Sequence, residues 1–157
     1  MIDLAPSHKT GLPLASPLIA GGGAFGFANE YASLVDFSRL GAFVTNPLTL
    51  RPRTPAQGTR VVPFPGGVLV HTGLPNPGLS AALRDYERKW ARLGCPVIVH
   101  LAADTVSDLI NCVEKLERAD SVAGIEIGFR DDEPLAAAEA LLRAAAQTAR
   151  QPVIAGL

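Results

Sequence analysis

The sequence predicts a single α/β domain over residues 1–157, built on parallel strands. Short apolar runs alternate along the chain with stretches of helical period, as they do in βα units. Three of the apolar runs contain Val97, Ile125 and Val153, each 28 positions after the one before, which is about one βα unit per step. The residues are 48% hydrophobic and 18% charged, a composition typical of a folded domain with a sizeable core.

Five apolar runs predict buried parallel strands, because strands covered on both faces read as continuous apolar sequence. They are Leu18–Ala20, Phe43–Thr45, Val97–Leu101, Gly124–Ile127 and Val153–Leu157. The segment 47–79, between the second and third runs, is rich in proline and glycine and lacks helical period. Valines on either side of Pro65–Gly66–Gly67 predict a β-hairpin there. We expect this long segment to pack over the carboxyl end of the sheet.

Four helices are predicted between the strands. They begin near Asn29, Ser80, Val106 and Asp132–Pro134, where capping or early helical residues occur. The first helix would turn Tyr31, Leu34 and Val35 inward and end before Gly41. The third has the strongest periodicity, because apolar residues follow Val106 at helical spacing as far as Leu116.

Charge and cysteine usage argue against several classes of function. With 14 basic and 15 acidic residues, the chain has no excess charge to attract nucleic acid or acidic membranes. Cys95 and Cys112 lack metal-ligand spacing, so we expect two reduced, buried thiols. His71 and His100 have no third ligand at a suitable spacing, and no metal is expected. No signal peptide or membrane span is evident, which favours a cytoplasmic protein.

A glycine pattern follows the first predicted strand. Gly21, Gly23 and Gly26 fit G-x-G-x-x-G between a strand and a predicted helix, the setting of a dinucleotide-binding loop. The acidic ribose ligand expected about 20 residues later is missing, since the second strand ends in Thr45 and Asn46. We favour a glycine-rich turn needed for close packing, with a dinucleotide-binding module as the alternative.

Three parts of the chain resemble the dihydroorotate dehydrogenase family. The first, residues 16–49, contains Phe25-Gly26-Phe27 and the run Ser-Arg-Leu-Gly-Ala at 38–42. The second contains Gly-Leu-Pro-Asn-Pro-Gly at 73–78, and the third is the closing strand 152–157. The resemblance implies an FMN-bearing (β/α)8 barrel that oxidises dihydroorotate to orotate in pyrimidine biosynthesis.

About five βα units do not close such a barrel, which takes about 250 residues. The predicted fold is therefore a partial TIM (β/α)8-type barrel preceded by a short N-terminal segment, with an open five-stranded sheet as the alternative. Its unpaired strand edges predict a homo-oligomer or a partner that completes the barrel.

The resemblance also implies where a flavin and its substrate would bind. The flavin positions correspond to Ala20, Gly21, Asn46, His100 and Gly128. The substrate positions correspond to Gly73, Leu74 and Asn76. Asp131 takes the place of the family's catalytic cysteine or serine base, although it also fits an acidic cluster at a helix start.

Several of these positions depart from the family pattern. Gly21 replaces a serine, Asn46 and Gly156 replace lysines, and Val70 and His100 replace asparagines. Loss of both lysines removes positive charge that would stabilise a reduced flavin and an orotate carboxylate. Phosphate groups in these barrels usually bind after the seventh and eighth strands, which five strands do not reach. We therefore expect weak FMN binding and impaired catalysis, with a non-catalytic scaffold or a relative that binds a small ligand or a partner as the alternative.

Overall fold

The computed structural model describes residues 2–130 and 132–156, and its centre is a five-stranded parallel sheet. In chain order the strands are β1 (Ile2–Asp3), β2 (Pro13–Leu14), β3 (Ile19–Ala20), β4 (Ala42–Val44), β5 (Val61–Phe64), β6 (Gly67–Val70), β7 (Val97–Ala102), β8 (Val122–Gly128) and β9 (Val153–Gly156). The helices are α1 (Leu79–Trp90), α2 (Val106–Leu116) and α3 (Leu135–Thr148), with a short 3-10 helix at Phe37–Arg39.

The central sheet has the order β3-β4-β7-β8-β9, and every neighbouring pair is parallel. Its strands curl into part of a barrel, which confirms the predicted partial (β/α)8 fold and the five predicted strands. Register places residues of β7 beside residues of β8 about 26 positions later, for example His100 beside Glu126. This register decides which side chains meet at the carboxyl ends of the strands.

The two faces of the sheet bury different residues. Phe43, Val99 and Ile125 pack in the larger core, together with Leu109 and Leu116 of α2. On the opposite face a smaller cluster joins the strands to the N-terminal β1–β2 pair; it contains Leu12, Leu14, Ala42, Val44 and Ile98. Because side chains alternate along a strand, His100 lies on the same face as Ile98, away from the helices.

The helix predicted from Asn29 is wrong, because residues 30–34 form turns and only Phe37–Arg39 is helical, as a 3-10 turn. The Glu30 carboxylate accepts hydrogen bonds from the backbone N–H groups of Phe27 and Ala28, which fixes a turn where a helix would start. Of the three residues expected to face inward, Val35 packs against the larger core, whereas Tyr31 and Leu34 are exposed.

The other three helices are present, with small differences at their starts. Helix α1 begins at Leu79, directly after Gly78 in the left-handed region at φ 79°, rather than at Ser80. Helix α3 begins at Leu135 with Pro134 as its N-cap residue, and Asp132 precedes it. Within the described residues no helix is long and apolar enough to cross a membrane.

The predicted hairpin is confirmed as the antiparallel pair β5–β6. All eight of its residues are exposed, so the hairpin itself does not pack over the sheet as expected. Its exposed large apolar side chains are those of Val61, Val62, Phe64, Val68, Leu69 and Val70. The segments on either side of the hairpin do approach the carboxyl ends of the central strands, since Leu48 forms a bridge with Leu101 and residues 70–74 line a cleft there.

Candidate ligand-binding cleft

An open cleft of about 700 Å³ lies at the carboxyl ends of the central strands. Its lining includes His100 of β7, Glu126 and Gly128 of β8, and the loop residues Gly73 and Leu74. Ligands of parallel α/β sheets bind at this edge, because the loops that leave neighbouring strands converge there. The cleft is therefore the candidate functional site.

His100 and Glu126 form a pair inside the cleft. The two residues are direct partners in the β7–β8 register, and Nδ1 of His100 lies 2.6 Å from Oε1 of Glu126. Their side chains are 17% and 19% exposed, so solvent screens the pair only in part. The backbone N–H of His100 donates to the hydroxyl of Thr45 on the neighbouring strand, which fixes this part of β7.

The second ring nitrogen of His100 lies beside Gly128, which also lines the cleft. Among the described residues Nε2 has no hydrogen-bond partner, and it is not one of the buried side-chain atoms that lack one. A carboxylate that accepts a hydrogen bond from Nδ1–H leaves Nε2 of a neutral imidazole as an acceptor. In the neutral form of the imidazole, the pair therefore presents one oriented acceptor to a molecule in the cleft.

Three glycines make room for this pair. A Cβ at Gly128 would overlap Nε2 of His100, and a Cβ at Gly22 would lie 3.0 Å from Nδ1. A Cβ at Gly156 would lie 3.1 Å from both Cγ and Oε1 of Glu126. The ring and the carboxylate occupy space that side chains at these positions would need.

The charged groups that line the described cleft are balanced. Arg53 pairs with Asp104, and Arg130 lies 3.4 Å from Glu133, with Asp132 at 3.2 Å from the same guanidinium. The lining has two arginines, three carboxylates and no lysine, so it offers no uncompensated positive charge. An anionic ligand would have to compete for cations that already have partners.

Asn76, a predicted substrate-binding residue, is occupied in holding its own loop. Its side chain is buried, and its oxygen accepts hydrogen bonds from the backbone N–H groups of Thr49 and Gly78. Its Nδ2 donates to the carbonyl of Leu74 and to the hydroxyl of Thr49. Gly73 and Leu74 do line the cleft, and Leu74 has an unusual positive φ of 50°.

The structure brings together only part of the predicted site. Of the residues singled out in the sequence, five line the cleft: His71, Gly73, Leu74, His100 and Gly128. Four other predicted positions are not part of its lining, namely Ala20, Gly21, Asn46 and Asn76. The buried amide oxygen of Asn46 has no hydrogen-bond partner within the described chain. Asp131, the predicted base, lies outside the described residues.

Sequence reasoning missed Glu126, although a signal for it exists. It is a charged residue inside the otherwise apolar run from Val122 to Gly128. A 28-residue spacing would place Glu126 beside Ile98, whereas the observed register places it beside His100, 26 positions earlier. The two positions share one face of β7, so the charge still indicates which face of the sheet carries polar groups.

The glycine loop does not lead into a helix. Gly23 and Gly26 have φ values of 89° and 84°, and a Cβ at Gly26 would meet the Glu30 carboxylate at 2.8–3.1 Å. These features are those of a tight turn that requires glycine. A helix N-terminus directly after the loop, which would bind a pyrophosphate, is not found in this described segment.

Comparison with known proteins decides the family. The family model named dihydroorotate dehydrogenase matches residues 6–128. This chain belongs to the dihydroorotate dehydrogenase family. A relative from Desulforudis audaxviator, the catalytic subunit of dihydroorotate dehydrogenase B (NAD(+)), is 34% identical over 158 residues, covering 94% of this chain and 51% of the relative.

Other catalytic subunits of dihydroorotate dehydrogenase B are similar to this chain as well. The one from Pelobacter propionicus is 36% identical over 78% of this chain and 40% of the relative. One from a Geobacillus species is 36% identical over 76% of this chain and 38% of the relative. The chain thus spans between 38% and 51% of the length of these dihydroorotate dehydrogenases.

Proposed function

We propose that this chain is a dihydroorotate dehydrogenase-like protein in which the family reaction is impaired and the barrel scaffold and its cleft are kept. The family reaction is the FMN-dependent oxidation of dihydroorotate to orotate in pyrimidine biosynthesis. The observation that carries the proposal is the charge balance of the cleft, where each arginine of the lining is paired with a carboxylate.

The residues of the cleft do not fit an FMN that is to be reduced. Hydride transfer leaves negative charge on the flavin, which a nearby fixed cation would stabilise. Here the lining contains the carboxylate of Glu126 and no lysine among its described residues. The positions that the resemblance gives to lysines carry Asn46, an amide, and Gly156, which has no side chain. We therefore derive no catalytic step through the cofactor.

The position of the base adds no support for catalysis. Asp131 is assigned as a base by the resemblance alone, and its position lies outside the described residues. Its neighbour Arg130 is already paired with Asp132 and Glu133. In the sequence Asp131 stands next to Asp132 and Glu133, so it also fits an acidic cluster before a helix.

Absorbance and turnover test the proposal directly. The purified protein is expected to be colourless, to bind added FMN weakly and to show no oxidation of dihydroorotate. A yellow protein that retains FMN and converts dihydroorotate to orotate would overturn the proposal.

Restoring one lysine tests its cause. The variant Asn46→Lys is expected to raise the affinity for FMN by about tenfold or more, the scale of one well-placed charge. Thr59→Lys is the charge-matched control, because Thr59 is exposed and does not line the cleft. An equal gain in the control would show that the effect is one of net charge alone.

A partner-binding role is the second candidate, and the exposed β5–β6 hairpin favours it. Its six large apolar side chains are 49–67% exposed, an unusual concentration on one two-stranded element. The described sheet also leaves β3 and β9 with one neighbour each. A second copy of the chain, or a partner that continues the barrel, would cover such surfaces.

A further inference from the structure

We propose that His100 and Glu126 form the centre of a rebuilt ligand site, in which Nε2 of His100 accepts a hydrogen bond from an uncharged cyclic amide. The inference rests on the proposed function and deepens it, because it names the class of ligand that the cleft binds when flavin chemistry is impaired. His100 is the ligand-binding residue, and Glu126 is the positioning residue.

The orientation of His100 is the first step. Glu126 accepts a hydrogen bond from Nδ1 of His100 at 2.6 Å, and the two side chains are mostly shielded from solvent. A carboxylate in this position selects one tautomer and one ring orientation. In the neutral imidazole, Nε2 lies beside Gly128 in the lining of the cleft and is an acceptor with no partner in the described chain. A ligand N–H can supply the missing hydrogen bond.

The glycines are the second step, because they show that the pair and the family residues exclude one another. A Cβ at Gly128 would overlap the His100 ring, and a Cβ at Gly156 would crowd Glu126 at 3.1 Å. The resemblance places a lysine at position 156 and a flavin-binding residue at position 128. His100, Glu126 and the two glycines therefore form one mutually compatible set, and the cleft is remodelled around the pair.

The charge of the ligand is the third step. Every arginine of the described lining already has a carboxylate partner, and Glu126 adds a further carboxylate to the lining of the cleft. A carboxylate ligand would be desolvated here without gaining a free cation. An uncharged amide ring can instead use Nε2 of His100, the hydroxyl of Thr72 and the backbone of Gly22 and Gly128, all of which line the cleft.

Two probes that differ by one carboxylate test the inference. Dihydrouracil has the ring of dihydroorotate without its carboxylate, so the pair isolates the effect of ligand charge. By isothermal titration calorimetry of the protein, dihydrouracil is expected to bind about tenfold more tightly than dihydroorotate or better. Tighter binding of dihydroorotate, or no binding of either ring, overturns the inference.

Variants identify the residues responsible. His100→Ala is expected to weaken dihydrouracil binding by about tenfold or more, as for loss of a hydrogen bond in a partly desolvated site. Glu126→Ala should have a similar effect, and Glu126→Gln should recover most of the affinity because an amide oxygen can still accept from Nδ1–H. His8→Ala is the control, since His8 contacts Thr10 far along the chain from the cleft. Unchanged binding in His100→Ala would overturn the assignment.

A spectroscopic readout separates positioning from folding. In nitrogen-15 NMR of the imidazole side chains, dihydrouracil is expected to shift Nε2 of His100 and to leave its Nδ1–H tautomer in place. Glu126→Ala should lose the single tautomer while the other histidines keep their signals. A His100 signal that does not respond to saturating dihydrouracil overturns the inference. FMN-dependent turnover of dihydroorotate would instead overturn the proposed function, so the two failures are distinguishable.

Discussion

At the residue scale, the absence of a Cβ atom at Gly128 leaves the space that the His100 ring occupies in the cleft. Gly128→Ala is expected to lower the free energy of unfolding by about 1–3 kcal/mol, because its Cβ would overlap the ring that Glu126 holds. Urea denaturation measures this change. In a His100→Ala background the same substitution should cost little, since the obstructing ring is gone.

Gly21→Ala is the control for this cycle. Gly21 has no heavy atom within 4 Å of its ideal Cβ and no positive φ, so its substitution should cost less than about 0.5 kcal/mol. An equal cost of Gly128→Ala with and without the imidazole would mean that backbone conformation, and not the pair, requires this glycine.

The two thiols should differ in reactivity. Burial raises the pKa of Cys112 to about 12, and burial also raises the pKa of the half-buried Cys95. Because the pKa of Cys112 is higher in the folded state than in the unfolded state, its neutral thiol stabilises the fold. This contribution is complete at pH values below the unfolded pKa near 9 and is lost as the pH rises towards 12. With single-cysteine variants at pH 8, a thiol reagent should label Cys95 at least about tenfold faster than Cys112. Equal rates would show that α2 opens readily.

At the element scale, the loop before α1 is held by one amide. Asn76→Ala is expected to lower the free energy of unfolding by about 2–3 kcal/mol, because it leaves the backbone N–H groups of Thr49 and Gly78 without their acceptor. Thermal or urea denaturation measures the loss. Asn111→Ala on the exposed face of α2 is the matched control and should be close to neutral. Similar losses for both would remove the special role of Asn76.

Elements with repeated local signals were predictable, and those fixed by single long-range contacts were not. The period of α2 and the apolar runs of β7 and β8 carry their own structural information over several residues. The segment after Asn29 fails because the Glu30 carboxylate caps its own turn and Trp90, 63 residues from Phe27, donates its ring N–H to that residue's carbonyl at 2.7 Å. The pairing of β1 with β2 likewise involves two residues on each side, which is too short for a pattern.

At the scale of the whole molecule, the described sheet has two open edges, at β3 and β9. Unpaired backbone groups on exposed strands favour association with another chain, so light scattering should show oligomers that dissociate on dilution. Ile19→Lys, on β3 with a side chain 41% exposed, should shift the population towards monomer. Leu34→Lys removes an even more exposed apolar side chain from a turn and is the control. A monomer at all concentrations would contradict the prediction.

The location of the site could be predicted, whereas its composition could be predicted only in part. Alternating strands and helices place functional residues at the carboxyl ends of the strands, where His100, Gly73 and Leu74 are found. Glu126 escaped because its importance depends on the strand register that places it beside His100, and Gly22 escaped because its importance depends on the close approach of the His100 ring. Asn76 shows the reverse case, since its residue type suggests ligand binding while its burial shows a structural task.

The hairpin of β5 and β6 joins the cleft directly, because β6 ends at Val70 and the next residues, His71 and Thr72, belong to the lining. The backbone N–H of His71 is also bonded to the carbonyl of Arg60, just before β5. A fluorophore attached at the solvent-facing tip, at Pro65 or Gly66, would therefore sit on a hydrogen-bonded strand pair that leads directly into the lining of the cleft. Its polarisation would report occupancy of the cleft without any dye touching the ligand.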